Sequence, residues 1–269
     1  MPVQLLGLPQ DNNSSYLAGP AAAPAAIRDA LHCDSSNLST ECGLDLGDTG
    51  LWRDAGDAPL AGLAGQAAYD GIAAALIPCL DAGPTLALGG DHSVSWPCIA
   101  TTVERWPGLS VLHLDAHPDL YDDMQGNPFS HASPFARLLE SGAVSRLVQV
   151  GIRTLNRHQA EQAERFGVDI IPMREIERAD TLSFDTPVYL SLDLDVLDPA
   201  FAPGVSHHEP GGLGTRDVIR LIQRVKGRVV GADLVELNPT RDLNGVTAMT
   251  AAKLAKELIA RLHRDADPR

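Results

Sequence analysis

One short segment brings carboxylates and an imidazole to the end of a predicted strand. The segment VLHLDAHPDLYDD, residues 111–123, places Asp115, His117 and Asp119 at alternate positions behind an apolar run. Alternate residues of a strand point to one side, so an extended backbone would present the three side chains together. The apolar run indicates a central strand, where carboxylates are costly unless they are paired or bind a metal. Taken alone, the motif is also compatible with a solvated strand end.

A second segment, VYLSLDLD, repeats this arrangement with Asp193 and Asp195. Ligands of a parallel sheet bind beyond the carboxyl ends of its strands, where both segments end. If the two ends meet, about four negative charges share a small volume, and the motifs supply too little Lys or Arg to offset them. Two divalent cations would offset this charge, and two imidazoles would complete their coordination. The predicted metal ligands are His92, Asp115, His117, Asp119, Asp193 and Asp195.

This ligand set favours manganese and hydrolysis. Oxygen-rich sites with some imidazole suit Mn²⁺ better than structural Zn²⁺, which prefers Cys and His. Two such ions about 3.5 to 4 Å apart can hold a bridging hydroxide at neutral pH and direct it at an electrophilic carbon. The sequence therefore predicts metal-assisted hydrolysis with two Mn²⁺ per subunit.

The segment GGDHS carries the candidate ligand His92. Asp91 is interpreted as a capping group or as a hydrogen-bond partner of a ligand, because Ser93 opens a predicted helix. Gly89 and Gly90 could belong to a phosphate loop, but the full dinucleotide or P-loop pattern is absent.

Composition limits the classes of partner. The chain has 269 residues, 44% of them hydrophobic, and a formal net charge of −14. Nucleic acids and anionic membranes need clustered Lys and Arg, so neither is a predicted partner, and an acidic surface fits a small cationic or zwitterionic substrate. No signal peptide, membrane span or CxxC spacing is evident. We therefore predict a cytoplasmic protein with reduced thiols.

Strand-like and helix-like runs alternate along the chain, which is typical of an α/β protein with a mainly parallel sheet. We predict one domain over residues 1–269, with long loops at 34–60 and 198–214. Leu254, Leu258 and Leu262 form an apolar stripe on the last helix. Predicted strands span 3–9, 85–90, 109–116, 146–152, 168–173, 187–195 and 228–237. Predicted helices span 22–31, 59–81, 93–106, 156–167, 215–227 and 247–265.

The motifs GGDHS, DAHPD and SLDLDVLDPAFAPG, in this order and each after a strand, resemble those of the ureohydrolases: arginases, agmatinases, guanidino-acid hydrolases and formiminoglutamases. The similarity runs from about residue 5 to about residue 260. It implies a three-layer α/β/α fold with a central, mainly parallel sheet of about eight strands, a Mn²⁺ pair and a homo-oligomer, commonly a trimer or hexamer. It further implies one metal held by His92, Asp115, Asp119 and Asp193, and another held by His117, Asp115, Asp193 and Asp195.

The same resemblance implies roles for other residues. Glu236 in DLVELNP matches a glutamate that pairs with the substrate's guanidinium or amidine, and a carboxylate can accept two parallel N–H bonds from such a group. His131 in NPFSHASPF matches a histidine that passes protons to the leaving amine, which suits a pKa near neutral. With Asp119, these are the predicted catalytic residues. A solvated strand-end charge and an ordinary loop histidine are the respective alternatives.

Two loops depart from the arginase pattern. Arginases carry a Thr-Gly-Thr-Pro segment where this chain has VSHHEPGG, and acidic residues near the places that Asn156 and Gln159 occupy here. Neutral amides hold an α-ammonium less well, while Arg157 could pair with a substrate carboxylate. His207 and His208 are interpreted as a surface or substrate-contact feature rather than a third metal site. The predicted substrate contacts are Asn127, Asn156, Arg157, His207 and Glu236.

The predicted function is hydrolysis of a small guanidino compound, namely arginine, agmatine or an ω-guanidino acid, with release of urea and an amine. A formiminoglutamase that releases formamide is the nearest alternative, because PGVS is closer to that class. A one-metal, zinc deacetylase-like enzyme would not need His92 and Asp119, and a non-catalytic relative should have lost ligands. Asp122 and Asp123 are expected at the pocket rim or in solvent.

Overall fold

A computed structural model describes residues 1–48 and 50–266 of the chain. In this part of the chain, eight strands form one sheet in which all neighbours are parallel, in the order β2-β1-β3-β8-β7-β4-β5-β6. The predicted sheet of about eight mainly parallel strands is confirmed. The strands are β1 Val3–Gly7, β2 Trp52–Asp57, β3 Thr85–Leu88, β4 Ser110–Leu114, β5 Arg146–Ile152, β6 Asp169–Pro172, β7 Val188–Asp193 and β8 Val229–Val235.

Helices cover both faces of the sheet, because each parallel connection must cross from one end of a strand to the other. Helices α1, α6 and α7 share one core with the sheet, and α2, α3 and α4 share the other. Among the described residues, no helix has the length and apolar character needed to cross a bilayer. The helices are α1 Ala23–Leu31, α2 Gly65–Ala82, α3 Ser95–Arg105, α4 Pro134–Glu140, α5 Arg157–Phe166, α6 Thr215–Arg224 and α7 Val246–Ala266.

The apolar pattern of strands and helices decides which side chains enter each core. Leu112 and Leu114 of β4 face one core, and Val111 faces the other, as strand alternation requires. The predicted stripe Leu254, Leu258 and Leu262 is fully buried on α7. Each fully buried leucine contributes about 1.5–3 kcal/mol to folding.

One strand and one α-helix of the described chain were not predicted from the sequence. Strand β2 lies inside the stretch 34–60, which was predicted to be a loop throughout, and that part of the prediction is wrong. Among the described residues it pairs with β1 alone, at the edge of the sheet, and it is mostly exposed, so its sequence WRDAGD has no apolar alternation. The short helix α4 also went unpredicted, and α2 begins at Gly65 rather than near residue 59.

The strand order places the four polar strand ends side by side. Strands β3, β8, β7 and β4 are consecutive neighbours at the centre of the sheet, although they are far apart in the chain. The glycines after β3 serve packing: a Cβ on Gly90 would lie 1.9 Å from the carbonyl oxygen of Gln10. The close approach of these two backbone segments explains the glycine that resembled part of a phosphate loop.

Candidate metal centre and active site

The six predicted metal ligands lie together at the carboxyl ends of the central strands. Asp193 is the last residue of β7, and Asp115 follows β4 directly. His92 opens the short 3₁₀ turn His92–Val94 after β3. The six residues are buried except His117, whose side chain is 24% exposed. The sheet therefore collects the ligand candidates from three separate strand ends.

The imidazole of His92 faces three carboxylates. Its Nδ1 lies 3.2 Å from Asp115 Oδ2 and 3.1 Å from one oxygen each of Asp119 and Asp193. The ring is fully buried, and Nδ1 makes no well-formed hydrogen bond within the described part of the chain. A buried nitrogen turned toward three oxygens without a hydrogen bond is the arrangement expected of ligands around a cation. The residues present therefore fit a metal ion.

Ser191 and Asp233 fix which nitrogen of His92 faces the carboxylates. Ser191 Oγ donates its one proton to Asp233 Oδ1 at 2.7 Å, because an ionised carboxylate only accepts. The same hydroxyl oxygen lies 3.0 Å from His92 Nε2 and accepts its proton. A proton on Nε2 leaves the Nδ1 lone pair for a metal. Neither Ser191 nor Asp233 was predicted as a site residue, although a polar residue inside a buried strand is a visible signal in the sequence.

His117 faces a second cluster of carboxylates. Its Nδ1 lies 2.9 Å from Asp195 Oδ2 and 3.3 Å from Asp115 Oδ1. Asp115 therefore turns one oxygen toward each imidazole, the geometry that a bridging ligand needs. Backbone N–H groups hold the carboxylates in place: Ala116 donates to Asp195 at 3.1 Å, and Asp195 donates to Asp193 at 2.8 Å.

The charges of this centre are unbalanced in the protein alone. Burial raises the pKa of Asp193, and the adjacent Asp195 and Asp115 raise it further. Burial and Asp115 raise the pKa of Asp195 to about 6. Burial lowers the pKa of His92, but the carboxylates beside it outweigh this effect and hold the pKa well above its usual range. Such raised proton affinity marks a site that stabilises added positive charge.

Two of the predicted catalytic residues have strained backbones. Asp119 has φ of 50° and Glu236 has φ of 66°, in the left-handed region that side-chain-bearing residues rarely adopt. A residue held there costs of order 1–3 kcal/mol, and the surrounding structure must supply that energy. The strain turns Asp119 toward His92 and Glu236 toward His131. Nothing in the sequence indicated it.

Glu236, His131 and Ser15 form a hydrogen-bonded chain beside the metal centre. Glu236 Oε1 accepts from the backbone N–H of His92 at 2.9 Å and from His131 Nδ1 at 2.8 Å. His131 Nε2 lies 2.9 Å from Ser15 Oγ and 3.2 Å from the Ser15 backbone N–H. The hydroxyl can donate to a neutral ring or accept from a charged one. Burial lowers the pKa of His131, but Glu236 raises it to about 9.

A cavity of about 230 Å³ opens beside the two clusters of carboxylates, one around His92 and the other around His117. Its outer wall includes Asn156, whose Oδ1 caps α5 by accepting from the Gln159 N–H and whose amide donates to the Tyr121 hydroxyl. The His207 ring lines the same cavity, with its centroid 5.3 Å from that of His131. The described residues that line the cavity include no Lys or Arg. The cavity is therefore suited to a cationic or overall neutral ligand.

Two predicted substrate contacts do not line this cavity. Arg157 is exposed at the start of α5, where the chain turns it outward while Asn156 faces the cavity. Asn127 donates to Asn13 Oδ1 at 3.2 Å and links two loops. His208 is exposed and lies 2.7 Å from a backbone carbonyl, whereas its neighbour in the predicted pair enters the cavity. The structure thus gives no support to substrate contacts by Arg157 or Asn127.

Asp122 and Asp123 are exposed and stand apart from the buried carboxylates, as expected. Asp122 lies 3.1 Å from His158 Nε2.

Arg153 was not among the predicted site residues. Its guanidinium donates to the backbone carbonyls of Asp195 at 2.6 Å and Glu209 at 2.7 Å. Arg153 thereby joins the loop 198–214 to the ligand-bearing end of β7.

Known proteins of the same kind are similar over nearly the whole chain. A sequence model of the arginase family matches residues 1–260. A protein named arginase 1, mitochondrial, from Arabidopsis thaliana is 46% identical over 97% of this chain and 81% of its own length. An agmatinase from Bacillus anthracis is 33% identical over 96% of this chain and 90% of its own. The structure of an arginase from Medicago truncatula has a TM-score of 0.92 and 42% identity over 97% of this chain and 87% of its own.

The fold and the site together define a hydrolase of amidine C–N bonds whose residues fit a metal centre. The chain belongs to the arginase family. The resemblance to ureohydrolases, the three-layer fold and the hydrolase class predicted from the motifs are confirmed.

The predicted cytoplasmic location is wrong. The Arabidopsis relative, similar over 97% of this chain, is named a mitochondrial protein. The prediction used composition and the absence of a secretory signal, whereas cellular location is set by targeting sequences that receptors recognise. The composition of a catalytic domain does not reveal such a targeting sequence.

Proposed function

We propose that this protein is a two-manganese arginine hydrolase that releases urea and ornithine. The main support is the position of two imidazole nitrogens, His92 Nδ1 and His117 Nδ1, each of which faces a cluster of carboxylates. Asp115 belongs to both clusters, and an open cavity lies beside them. The ligand set is the one predicted above: six oxygen- and nitrogen-bearing side chains that suit Mn²⁺. When bound, such a metal pair supplies Lewis acidity and an activated water at neutral pH.

Glu236 is proposed to hold the guanidinium. Both hydrogen bonds to its carboxylate end on Oε1, and within the described residues none reaches Oε2. Oε2 is therefore available to accept a charge-assisted N–H bond from the substrate. The partners on Oε1 fix the direction of the carboxylate before the substrate arrives.

His131 is proposed to move the proton that the reaction needs. Hydrolysis breaks one C–N bond, and the departing amine must gain a proton to leave as a stable product. His131 lines the cavity, and its two nitrogens contact Glu236 and Ser15. Because the Ser15 hydroxyl serves either protonation state, the ring can give up and regain a proton without losing this contact.

We rank the candidate substrates by how well their charges suit the cavity. Arginine carries a guanidinium, and its α-carboxylate is balanced by its own α-ammonium, which suits a wall of amide and hydroxyl groups from Asn156 and Tyr121. Formiminoglutamate and ω-guanidino acids bring carboxylates that find no Lys or Arg among the described lining residues. An arginase relative at 46% identity supports the choice of arginine ahead of agmatine.

Agmatine is the second candidate. It lacks a carboxylate and carries two positive charges, which the acidic cavity without Lys or Arg would accept. An agmatinase at 33% identity over 96% of the chain supports this choice.

A substrate panel tests the proposal. Protein loaded with Mn²⁺ is given arginine, agmatine, guanidinobutyrate, guanidinopropionate or formiminoglutamate, and urea and formamide are measured separately. We expect urea, with the highest kcat/KM for arginine. A higher value for agmatine would select the second candidate, and formamide, or urea from none of them, would overturn both.

Metal analysis tests the two-metal centre. We expect two Mn²⁺ per chain, and an Asp119→Ala variant should lose both metal and activity. Asp122→Ala is the matched control, because this nearby carboxylate is exposed and does not line the cavity. One metal per chain, or a fully active Asp119→Ala variant, would contradict the proposal.

The trimer or hexamer implied by the family resemblance stays a prediction, which light scattering after size-exclusion chromatography checks.

A further inference from the structure

His113 and Gln149 lie behind the metal centre and have no part in the chemistry described so far. Both are fully buried. They stand opposite each other on the neighbouring strands β4 and β5. Gln149 Nε2 lies 3.0 Å from His113 Nδ1, and His113 Nε2 lies 2.8 Å from Asp115 Oδ2. We call this hydrogen-bonded series the Gln149–His113 relay.

The direction of every bond in the relay is determined by one backbone carbonyl. Gln149 Nε2 also lies 2.6 Å from the carbonyl oxygen of Pro118, which can only accept. The reverse orientation of the amide would bring two oxygens into contact there. Gln149 therefore donates one proton to Pro118 and its other proton to His113 Nδ1.

This direction decides where the proton of His113 resides. Since Nδ1 accepts from Gln149, the ring carries its proton on Nε2 and donates it to Asp115 Oδ2. His113 is close enough to His92 and Asp115 for the three to hold a metal as a group. A nitrogen that donates to a carboxylate cannot also give a lone pair to a metal, so His113 is not a ligand. The Phe135 ring, with its centroid 4.0 Å away, packs against the imidazole.

Asp115 is thereby held at both oxygens. Oδ1 accepts from the backbone N–H of His117 at 2.5 Å, and Oδ2 accepts from His113. Each oxygen keeps a second lone pair, directed toward His117 Nδ1 on one side and His92 Nδ1 on the other. A carboxylate fixed in this way is ready to bridge two cations before either binds.

We propose that the Gln149–His113 relay positions Asp115 as the shared metal ligand and so sets the metal affinity of the centre. The inference rests on the two-metal centre proposed above. Hydrogen-bond partners of metal ligands typically change metal affinity or activity by about 10- to 100-fold when they are removed. His113 and Gln149 are positioning residues, because neither contacts the substrate cavity.

The first test reads the proton position directly. Nitrogen-15 NMR of metal-free protein, with the His113 signals assigned from a His113→Gln variant, should show Nε2 protonated and Nδ1 as an acceptor. In Gln149→Glu the new carboxylate can only accept, and Asp115 still accepts from Nε2, so the ring should carry a proton on each nitrogen and the Nδ1 signal should move to the protonated range. A proton on Nδ1 in the unsubstituted protein would overturn the relay.

The second test measures Mn²⁺ affinity by competition with a chelator. His113→Phe should bind Mn²⁺ about 10- to 100-fold more weakly, whereas His113→Gln, which keeps a donor of similar reach, should retain most of the affinity. His32→Phe is the matched control, since that ring stacks on Trp52 rather than on a ligand. Unchanged affinity in His113→Phe would also overturn the proposal. If that variant does not fold, Gln149→Glu gives the same comparison, with weaker binding expected.

These readouts separate two kinds of failure. If the protein binds Mn²⁺ but hydrolyses no guanidino compound, the proposed function fails while the NMR and affinity results still decide the relay. If it binds no Mn²⁺, the metal centre fails, and the proposed positioning of a metal ligand fails with it, whatever the spectrum of the metal-free protein shows.

Discussion

Individual hydrogen bonds of this protein have a fixed direction because carboxylates and backbone carbonyls only accept. Asp233 fixes the proton of Ser191, so His92 donates from Nε2 and turns Nδ1 toward the carboxylates. Glu236 likewise fixes the proton of His131 on Nδ1. The chemical state of each functional imidazole is thus set by a partner that is distant in sequence.

Replacing Glu236 with Gln tests its role as the guanidinium partner. The amide keeps the shape but loses the charge, and a hydrogen bond to a charged group contributes about 1.5–3 kcal/mol, so kcat/KM for arginine should fall roughly 10- to 150-fold. The control is Glu161→Gln, an exposed change on α5. Steady-state kinetics at equal Mn²⁺ content give the measurement, and an unchanged kcat/KM would exclude the pairing.

The pair of His131 and Glu236 predicts a pH dependence of stability. The pKa of His131 rises from 6.5 to about 9 on folding because Glu236 outweighs burial. A raised pKa contributes stability that is fully present below pH 6.5 and is lost as the pH rises through about 9. In metal-free protein, the unfolding free energy lost by His131→Asn should therefore shrink by roughly 3 kcal/mol between those limits. Urea titrations across this range test it, and a constant difference would contradict the prediction.

At the scale of elements, backbone contacts at the strand ends position the proposed metal ligands. The turn after β3 carries His92 and packs against the segment after β1. Gly90 permits this contact, since Asp91 donates its backbone N–H to the Gln10 carbonyl at 2.8 Å. Asp91 itself caps the turn by accepting from the Ser93 N–H, in agreement with its interpretation as a capping group.

A Gly90→Ala substitution should therefore be severe. The added Cβ would meet the Gln10 carbonyl oxygen at 1.9 Å, and the backbone atoms in contact cannot move independently. We expect a loss of about 2–5 kcal/mol in the free energy of unfolding. Gly50→Ala is the control, because its Cβ meets only a side-chain oxygen at 3.8 Å. Equal stabilities of the two variants in denaturant titrations would show that the close approach has been misjudged.

At the scale of the whole molecule, the buried carboxylates lower the free energy of unfolding of the metal-free protein and favour the binding of cations. The sheet brings four carboxylates into one volume, and their mutual repulsion opposes folding when no cation is present. A ligand that binds only the folded state stabilises it by about 2.7 kcal/mol at 100 times its Kd. We therefore expect metal binding and folding to be coupled.

Asp193→Asn should raise the stability of the metal-free protein and lower the stability of the Mn²⁺-loaded protein. It removes a buried carboxylate whose neighbours disfavour its charge, so metal-free protein near pH 8 should become more stable. With excess Mn²⁺ the unsubstituted protein should gain roughly 5–10 °C in Tm, and the variant should gain much less. Differential scanning calorimetry with Mn²⁺ and with EDTA gives both values. A change of the same sign in both states would contradict the coupling.

Much of the fold and of the candidate centre could be predicted from local pattern. Strands such as β4 and β7 are buried on both faces, so they stand out as apolar runs with acid at their ends. Strand β2 could not be found in this way, because an exposed edge strand needs no apolar pattern. The predicted substrate contact of Asn127 has no support in the structure for a related reason: a polar loop residue near a site can bind another loop as readily as a substrate.

The sequence by itself determined which side chains are candidate ligands, their order and the strand ends that carry them, because side-chain alternation and burial are local properties. Only the tertiary structure decided that β3, β8, β7 and β4 are neighbours and that Asp115 turns one oxygen to each imidazole. It also supplied Ser191, Asp233 and Gln149, which orient the ligands from adjacent strands. Strand pairing joins residues that are far apart in the chain, such as Thr85 and Gly231, and no local period encodes which of them will meet.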